Sequence, residues 1–238
     1  MKKFIIRILL IILLILVILS GSIIGSGYLL YKSAITKVSL SDKIKEIKSS
    51  ESFVSLDEVP INFKNAIIAV EDHRFEKHGV IDLIAIARAI YSNIRSHELR
   101  EGGSTITQQV AKNMYFISEE NVVSRKIAEI FVGYDLEKNY SKDEIFEFYM
   151  NTIYFGDGYY GIQEATNGYL NKEPIDMNLY ECTMLAGIPN APSVYSPTVN
   201  PELTRKRQEK VISSMVEYGY LTKEDADKIL KLENNSDI

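Results

Sequence analysis

Gly102-Gly103-Ser104-Thr105-Ile106-Thr107-Gln108-Gln109-Val110-Ala111-Lys112-Asn113 organises the reading of the whole chain. Two glycines run into consecutive hydroxyls, and Thr105-x-x-Gln108 is a capping-box pattern that predicts a helix from Thr105 to about Tyr115. Unpaired N–H groups at such a helix start favour anions, phosphate above all. Gln108 and Lys112 are four residues apart and share a helix face, with Gln109 beside them. No Gly-Lys-Ser/Thr follows the glycines, so this is not a nucleotide P-loop. Taken alone, the segment reads equally as a capped loop without a ligand.

Two further clusters flank it. Upstream, the apolar run Asn65–Val70 ends in Glu71-Asp72-His73-Arg74-Phe75-Glu76-Lys77-His78. A carboxylate at the end of an apolar helix is a candidate general base, and apolar packing there would raise its pKa. Its plain alternative is a charged helix end in solvent. Downstream, Arg125-Lys126-x-x-Glu129 places two cations within one helical turn of an acid. That pattern is either a surface ion pair worth less than about 1 kcal/mol or a cationic face for a pyrophosphate.

Around these clusters the chain reads as helical. Val122–Leu136, Ser141–Asn151, Leu179–Ile188, Glu202–Tyr218 and Thr222–Leu232 all read as helices, and few segments alternate with period two. The expected fold is therefore mainly α. Val80–Ile94 is strongly apolar and suits either a buried core helix or a helix lying at a membrane surface. Ser96–Gly103 reads as a mobile loop, and Gly156, Gly158 and Gly161 punctuate a turn region.

The amino terminus places the protein. Met1-Lys2-Lys3 and Arg7 precede an uncharged stretch from Ile8 to Tyr31, long enough to cross a bilayer as a helix. The basic start keeps the N-terminus cytoplasmic, so the rest of the chain lies outside, as a single-pass protein of the cell membrane. A cleaved signal peptide is the alternative, but no Ala-x-Ala site appears. The domain reading is an anchor over 1–32, a stalk over 33–54 and a main domain over 55–238. The 238 residues carry a net charge of −5, and the anchor region holds four basic residues and no acid. The body is thus more acidic than the whole, which argues against nucleic-acid binding. Cys182 is the single cysteine, so no intrachain disulfide forms. With three histidines the chain offers no evident zinc site, and no metal ligand is assigned.

In order and spacing, the clusters resemble the glycosyltransferase domain of peptidoglycan polymerases, the family 51 transglycosylases. The first family motif is matched by Glu71, Asp72, Phe75 and His78, the second by Gly102 to Asn113, and the third by Arg125, Lys126 and Glu129. A fourth is approximated from Ser141 to Gly156, including Asn151 and Tyr154, and a fifth from Leu185 to Pro197. Departures include Glu76 after Phe75, Val80 where a glycine is usual, and Glu119-Glu120 in a linker that often holds an arginine.

The resemblance implies a lysozyme-like, two-lobed fold with a cleft. It also implies a monofunctional, membrane-anchored enzyme without a transpeptidase domain that polymerises lipid II. In that reaction the acceptor's GlcNAc 4-hydroxyl attacks the donor MurNAc anomeric carbon. A β-1,4 bond forms with inversion, and undecaprenyl pyrophosphate departs. Glu71 is then the base, and Glu129 is a second catalytic carboxylate that orients a cation or the donor pyrophosphate. Asp72, Phe75, His78, Gln108, Gln109, Asn151 and Tyr154 are expected to bind substrate along the cleft. Gly103, Ser104, Thr105, Lys112, Arg125 and Lys126 meet the phosphates. No tightly bound cofactor is implied, although Mg2+ or another divalent cation would accompany the pyrophosphate. The partners implied are lipid II, the growing glycan, the membrane and other wall-synthesis proteins. Two alternatives remain: a lysozyme-like hydrolase, and an inactive anchored scaffold of the wall machinery.

Overall fold

The structure is a computed structural model that describes residues 2–96 and 103–233. Its described residues form eleven α-helices and no strand; the one β-bridge joins Tyr154 to Tyr160. The expected mainly α class is what the fold shows.

Capping explains most helix starts. Thr105 accepts a hydrogen bond from the Gln108 amide while the Gln108 side chain accepts one from the Thr105 amide, opening α5 (Ile106–Tyr115). Ser141 with Glu144 opens α7 (Lys142–Thr152) in the same reciprocal way. Asn178 with Glu181 opens α9 (Leu179–Gly187). Asn121 caps α6 (Val122–Asn139). Each such cap is worth about 1 kcal/mol, so these boundaries are fixed locally.

Packing then sorts the helices into two groups around one main core, with a small separate cluster of Ile212, Ala226 and Ile229. In the first, α3 (Ile61–Glu71) packs on α9 and on α10 (Pro201–Glu217), and α11 (Lys223–Glu233) lies against α10. Phe63, Ala66, Ile67, Ile68 and Ala69 of α3 are all buried, which marks it as the central helix. In the second group, α5 packs between α6 and α7. Phe146, Phe148 and Tyr149 of α7 are fully buried within the shared core.

Three sequence expectations change. Residues 33–54 do not form a free stalk. Helix α1 runs unbroken from Lys2 to Lys37, α2 (Leu40–Lys48) packs on α7, and Ile44 and Val54 join the core. The apolar spacing of Leu40, Ile44 and Ile47 gives α2 the side chains for this. Second, the turn region runs into an unforeseen helix, α8 (Ile162–Leu170), which starts after Gly161 at φ +81° and ends at left-handed Asn171. Gly168 hid it, because glycine inside a helix normally costs about 1 kcal/mol. Here a Cβ at Gly168 would lie 2.1 Å from the Tyr159 ring, so that packing demands glycine. Third, of the two readings left open for Val80–Ile94, the buried core helix is the one the structure does not show. Asp82 caps α4 (Leu83–Ser96), accepting from the Ile84 and Ala85 amides, and Leu83, Ile84, Tyr91 and Ile94 are exposed. The loop predicted over Ser96–Gly103 lies, apart from its two ends, outside the described residues.

Candidate active site

A cleft of about 460 Å³ opens between the two helix groups. Glu71 and Arg207 line one wall; Ser104, Gln109, Lys112 and Lys126 line the other. A second hollow of about 310 Å³ shares Gln109, Lys112, Pro189 and Asn190 with it and reaches Tyr154 and Tyr160. The two therefore form one groove passing Lys112.

Glu71 is the last residue of α3, and its side chain is 10% exposed. Gln109 Nε2 donates to Oε2 at 3.0 Å, and Arg207 Nη2 donates to Oε1 at 3.2 Å. A carboxylate offers about four lone-pair directions, so two stay open for a hydroxyl entering from the cleft. Nearby, the Tyr149 hydroxyl is buried without a hydrogen-bond partner, and burial pushes its pKa well above the usual phenol range, with the Glu71 charge adding to the rise.

Glu129 lies elsewhere. It is fully buried beneath the opposite wall, with Lys126 Nζ on Oε2 at 2.6 Å. Arg125 Nε is 3.3 Å from Oε1 without hydrogen-bond alignment, and Arg125 Nη1 donates to the Glu119 carbonyl. Glu129 thus holds Lys126, whose ammonium also donates to Ser104 Oγ at 2.9 Å. Glu129 thereby orients a cation, one of the two roles expected of it, from behind the wall: neither it nor Arg125 is among the residues lining the cleft. Lys126 and Ser104 are.

The other predicted residues divide in the same manner. Gln109, Lys112 and Tyr154 line the groove. Gln108 turns inward into the capping box, so Gln109 and not Gln108 shares the cleft with Lys112. Thr105 is buried and donates to the Val80 carbonyl, and Gly103 packs against Ile86. Asn151 is consumed by Val54, exchanging two hydrogen bonds with its backbone, and by the Glu147 carbonyl.

Asp72, Phe75 and His78 lie behind the site as its frame. Asp72 Oδ2 accepts from the Ile106 amide, the first of α5, at 3.0 Å, and Oδ1 meets His78 Nε2 at 2.6 Å. A carboxylate facing a helix N-terminus is favoured by the helix dipole, so Asp72 pins α5 against the end of α3. His78 Nδ1 faces the Gly79 carbonyl, so both ring nitrogens meet acceptors and only imidazolium satisfies both. Burial opposes that charge, but the bonds to Asp72 and Gly79 prevail and raise the His78 pKa. Phe75 is fully buried, with Lys142 Nζ 4.5 Å from its ring centroid.

Sequence reasoning missed Arg207, which also donates to the Gly187 carbonyl at 3.3 Å. Its only local signal is the basic run Arg205-Lys206-Arg207, ordinary on a solvated helix.

Divalent-cation binding by Glu71 and Glu129 alone would add charge to a site that already holds several cations. Both Glu71 and Glu129 already hold cationic or amide partners, and the cleft wall opposite Glu71 presents lysines. Asp72, His78 and Asp82 form the described cluster with ligand-like spacing, but its atoms are already bonded to one another, to Arg74 and to backbone amides.

The Glu71 carboxylate and a lysine-bearing wall face one groove, and comparison with known proteins gives the family. The family model described as Transglycosylase matches residues 39–216. The chain belongs to that family. It is 38% identical over 236 residues to Penicillin-binding protein 1F of Bacillus subtilis, covering 94% of this chain and 33% of that one. It is 44% identical over 181 residues to Penicillin-binding protein 1A of Neisseria flavescens, covering 76% of this chain and 23% of that one. A putative transglycosylase of Cupriavidus necator is 40% identical over 189 residues, 79% of this chain and 81% of that one. The chain therefore spans about a third or less of the two penicillin-binding relatives but most of the third. A crystal structure of Penicillin-Binding Protein 1A from Haemophilus influenzae aligns over 75% of this chain and 17% of that one, at 23% identity and a TM-score of 0.45.

Proposed function

We propose that this protein is a membrane-anchored peptidoglycan glycosyltransferase that polymerises lipid II. The observation that carries the reading is one open carboxylate, Glu71, in a cleft whose opposite wall presents Lys112 and Lys126.

The chemistry follows from that polarity. A sugar hydroxyl is a poor nucleophile near neutral pH and needs a base. The acceptor 4-hydroxyl gives its proton to Glu71 as its oxygen bonds to the donor's anomeric carbon. The bond from that carbon to the pyrophosphate oxygen breaks on the opposite face, which gives inversion. The leaving group is already anionic, so it needs cations more than a proton donor. Lys112, Lys126 and the Ser104 hydroxyl supply that environment, and any divalent ion arrives with the substrate. Arg207 and Gln109 hold the Glu71 carboxylate in one orientation for this transfer.

The hydrolase alternative uses a glutamic acid to protonate a leaving glycosidic oxygen, whereas the lysines opposite Glu71 suit a leaving group that is already anionic. Glu129 is unsuited to the acid role, because it is fully buried and bound to Lys126. The helix Lys3–Lys37 has a mean hydropathy of 3.1 over its best window and is long enough to cross a bilayer. With Lys2, Lys3 and Arg7 before the apolar stretch, its N-terminus lies in the cytoplasm and the cleft outside. The exposed apolar side chains of α4 then face the outer leaflet that holds the substrate's lipid tail.

The test is incubation of the detergent-solubilised chain with labelled lipid II, alongside Glu71→Gln. Long lysozyme-sensitive glycan from the wild type and none from the variant is expected. An untouched substrate with folded wild-type protein would overturn the reading in favour of a scaffold.

A further inference from the structure

We propose that helix α1 is more than a tether: docked on α6, it positions the Lys126–Glu129 wall of the cleft, and Gly27 is the residue that allows the docking. This rests on the glycosyltransferase reading and adds a positioning element to it.

The two helices run side by side and parallel. Ser26 Oγ and Ser124 Oγ are 2.9 Å apart at one end of the contact. Eleven residues along α6, Tyr31 donates to Asp135 Oδ2 at 2.6 Å. Between them the Phe131 ring stacks on Tyr31, with centroids 5.4 Å apart, and meets Tyr28 edge-on at 5.3 Å. Tyr31 is only 8% exposed and belongs to the core. At Gly27 the backbones approach so closely that a Cβ there would lie 2.4 Å from Ile127 Cβ and 3.0 Å from the Ser124 carbonyl. Small residues permit this kind of helix contact, and a longer side chain forces the pair apart.

The docking face and the site face are opposite sides of one helix. At about 100° per residue, Ser124, Ile127, Phe131 and Asp135 fall within a sector of roughly 80°. Arg125, Lys126 and Glu129 occupy the other side. Helix α6 is therefore held between α1 behind it and the buried Glu129 pair before it. A helix displaced on one side displaces what it presents on the other, because close-packed interiors transmit shifts.

The experiment uses the full chain in lipid nanodiscs with labelled lipid II. Gly27→Leu is expected to lower kcat by about tenfold to a hundredfold, the scale of an ångström-sized misplacement in a site, with KM changing less. Gly27→Leu/Ile127→Gly removes the Cβ and Cγ2 that the new side chain meets and is expected to recover part of that loss. A disulfide from Ser26→Cys/Ser124→Cys locks the contact and should leave turnover near the wild-type value. Wild-type turnover by Gly27→Leu would overturn the proposal. So would a loss that Ile127→Gly does not relieve at all, or an oxidised cysteine pair without activity whose reduction restores it. Failure of the wild type itself would instead sink the glycosyltransferase reading.

Discussion

Asp72→Ala separates a substrate contact from a structural one. The motif position suggests a cleft residue, yet the carboxylate is buried, with one oxygen on the Ile106 amide and the other on His78. Truncation leaves the first amide of α5 without an acceptor and His78 Nε2 without its partner. Each hydrogen bond to a charged group is worth about 1.5–3 kcal/mol, so the two together put the loss at roughly 3–6 kcal/mol. For a domain of this size 1 kcal/mol shifts Tm by about 2–4 °C, so a fall of roughly 10 °C is expected. Asp72→Asn keeps the shape and one acceptor oxygen, and should lose about 1–2 kcal/mol. The assay is thermal unfolding in detergent, with lipid II kinetics at a temperature where both variants stay folded. A stability within about 0.5 kcal/mol of wild type, combined with a clear rise in KM, would refute the structural assignment.

Three further outcomes follow from the same geometry. Lys126→Met strands the buried Glu129 carboxylate and should cost roughly 2–3 kcal/mol, less than the 3–5 of a fully buried pair because Lys126 is partly exposed and Arg125 remains near. Adding Glu129→Gln should return part of that in chemical denaturation, whereas additive losses would contradict the pairing. Arg207→Met should lower kcat while the fold survives, and Arg207→Lys should restore it only in part, since one ammonium cannot reach both Glu71 and the Gly187 carbonyl as the planar fork does; equal kinetics for all three would dismiss Arg207. Because the folded His78 pKa is raised above an ordinary value near 6.5, its contribution is complete below that pH and is lost as pH rises through the folded value. The stability advantage of wild type over His78→Asn should therefore shrink from pH 6 towards 8, and an advantage that grows over that range would contradict the sign.

Much of the fold is legible because its boundaries are set by neighbours in sequence. Thr105 with Gln108 and Ser141 with Glu144 announce their helices through caps that need no tertiary partner. Helix α8 escapes because Gly168 breaks the local rule for the sake of Tyr159, a contact made only in the folded chain. The site is legible to the same depth. Glu71, Ser104, Gln109, Lys112 and Lys126 sit in local motifs and do reach the cleft. Motif membership cannot tell which side of the wall a residue faces, so Asp72, His78, Gln108 and Glu129 look like their cleft-facing neighbours although they are buried. Arg207 is invisible for a plainer reason: 136 residues separate it from Glu71.

The unbroken course of α1 has a mechanical consequence. Its uncharged stretch Ile8–Tyr31 makes a rod about 36 Å long at 1.5 Å per residue, against a hydrocarbon thickness of about 30 Å. Rods of this kind meet a thinner or thicker bilayer by tilting. A catalytic domain on a loose stalk would ignore that tilt. Here the rod is keyed into α6 by Tyr31 and Gly27, so the groove leans with it. On the proposed function, the angle at which a lipid-borne substrate meets the groove would then vary with the thickness of the surrounding bilayer.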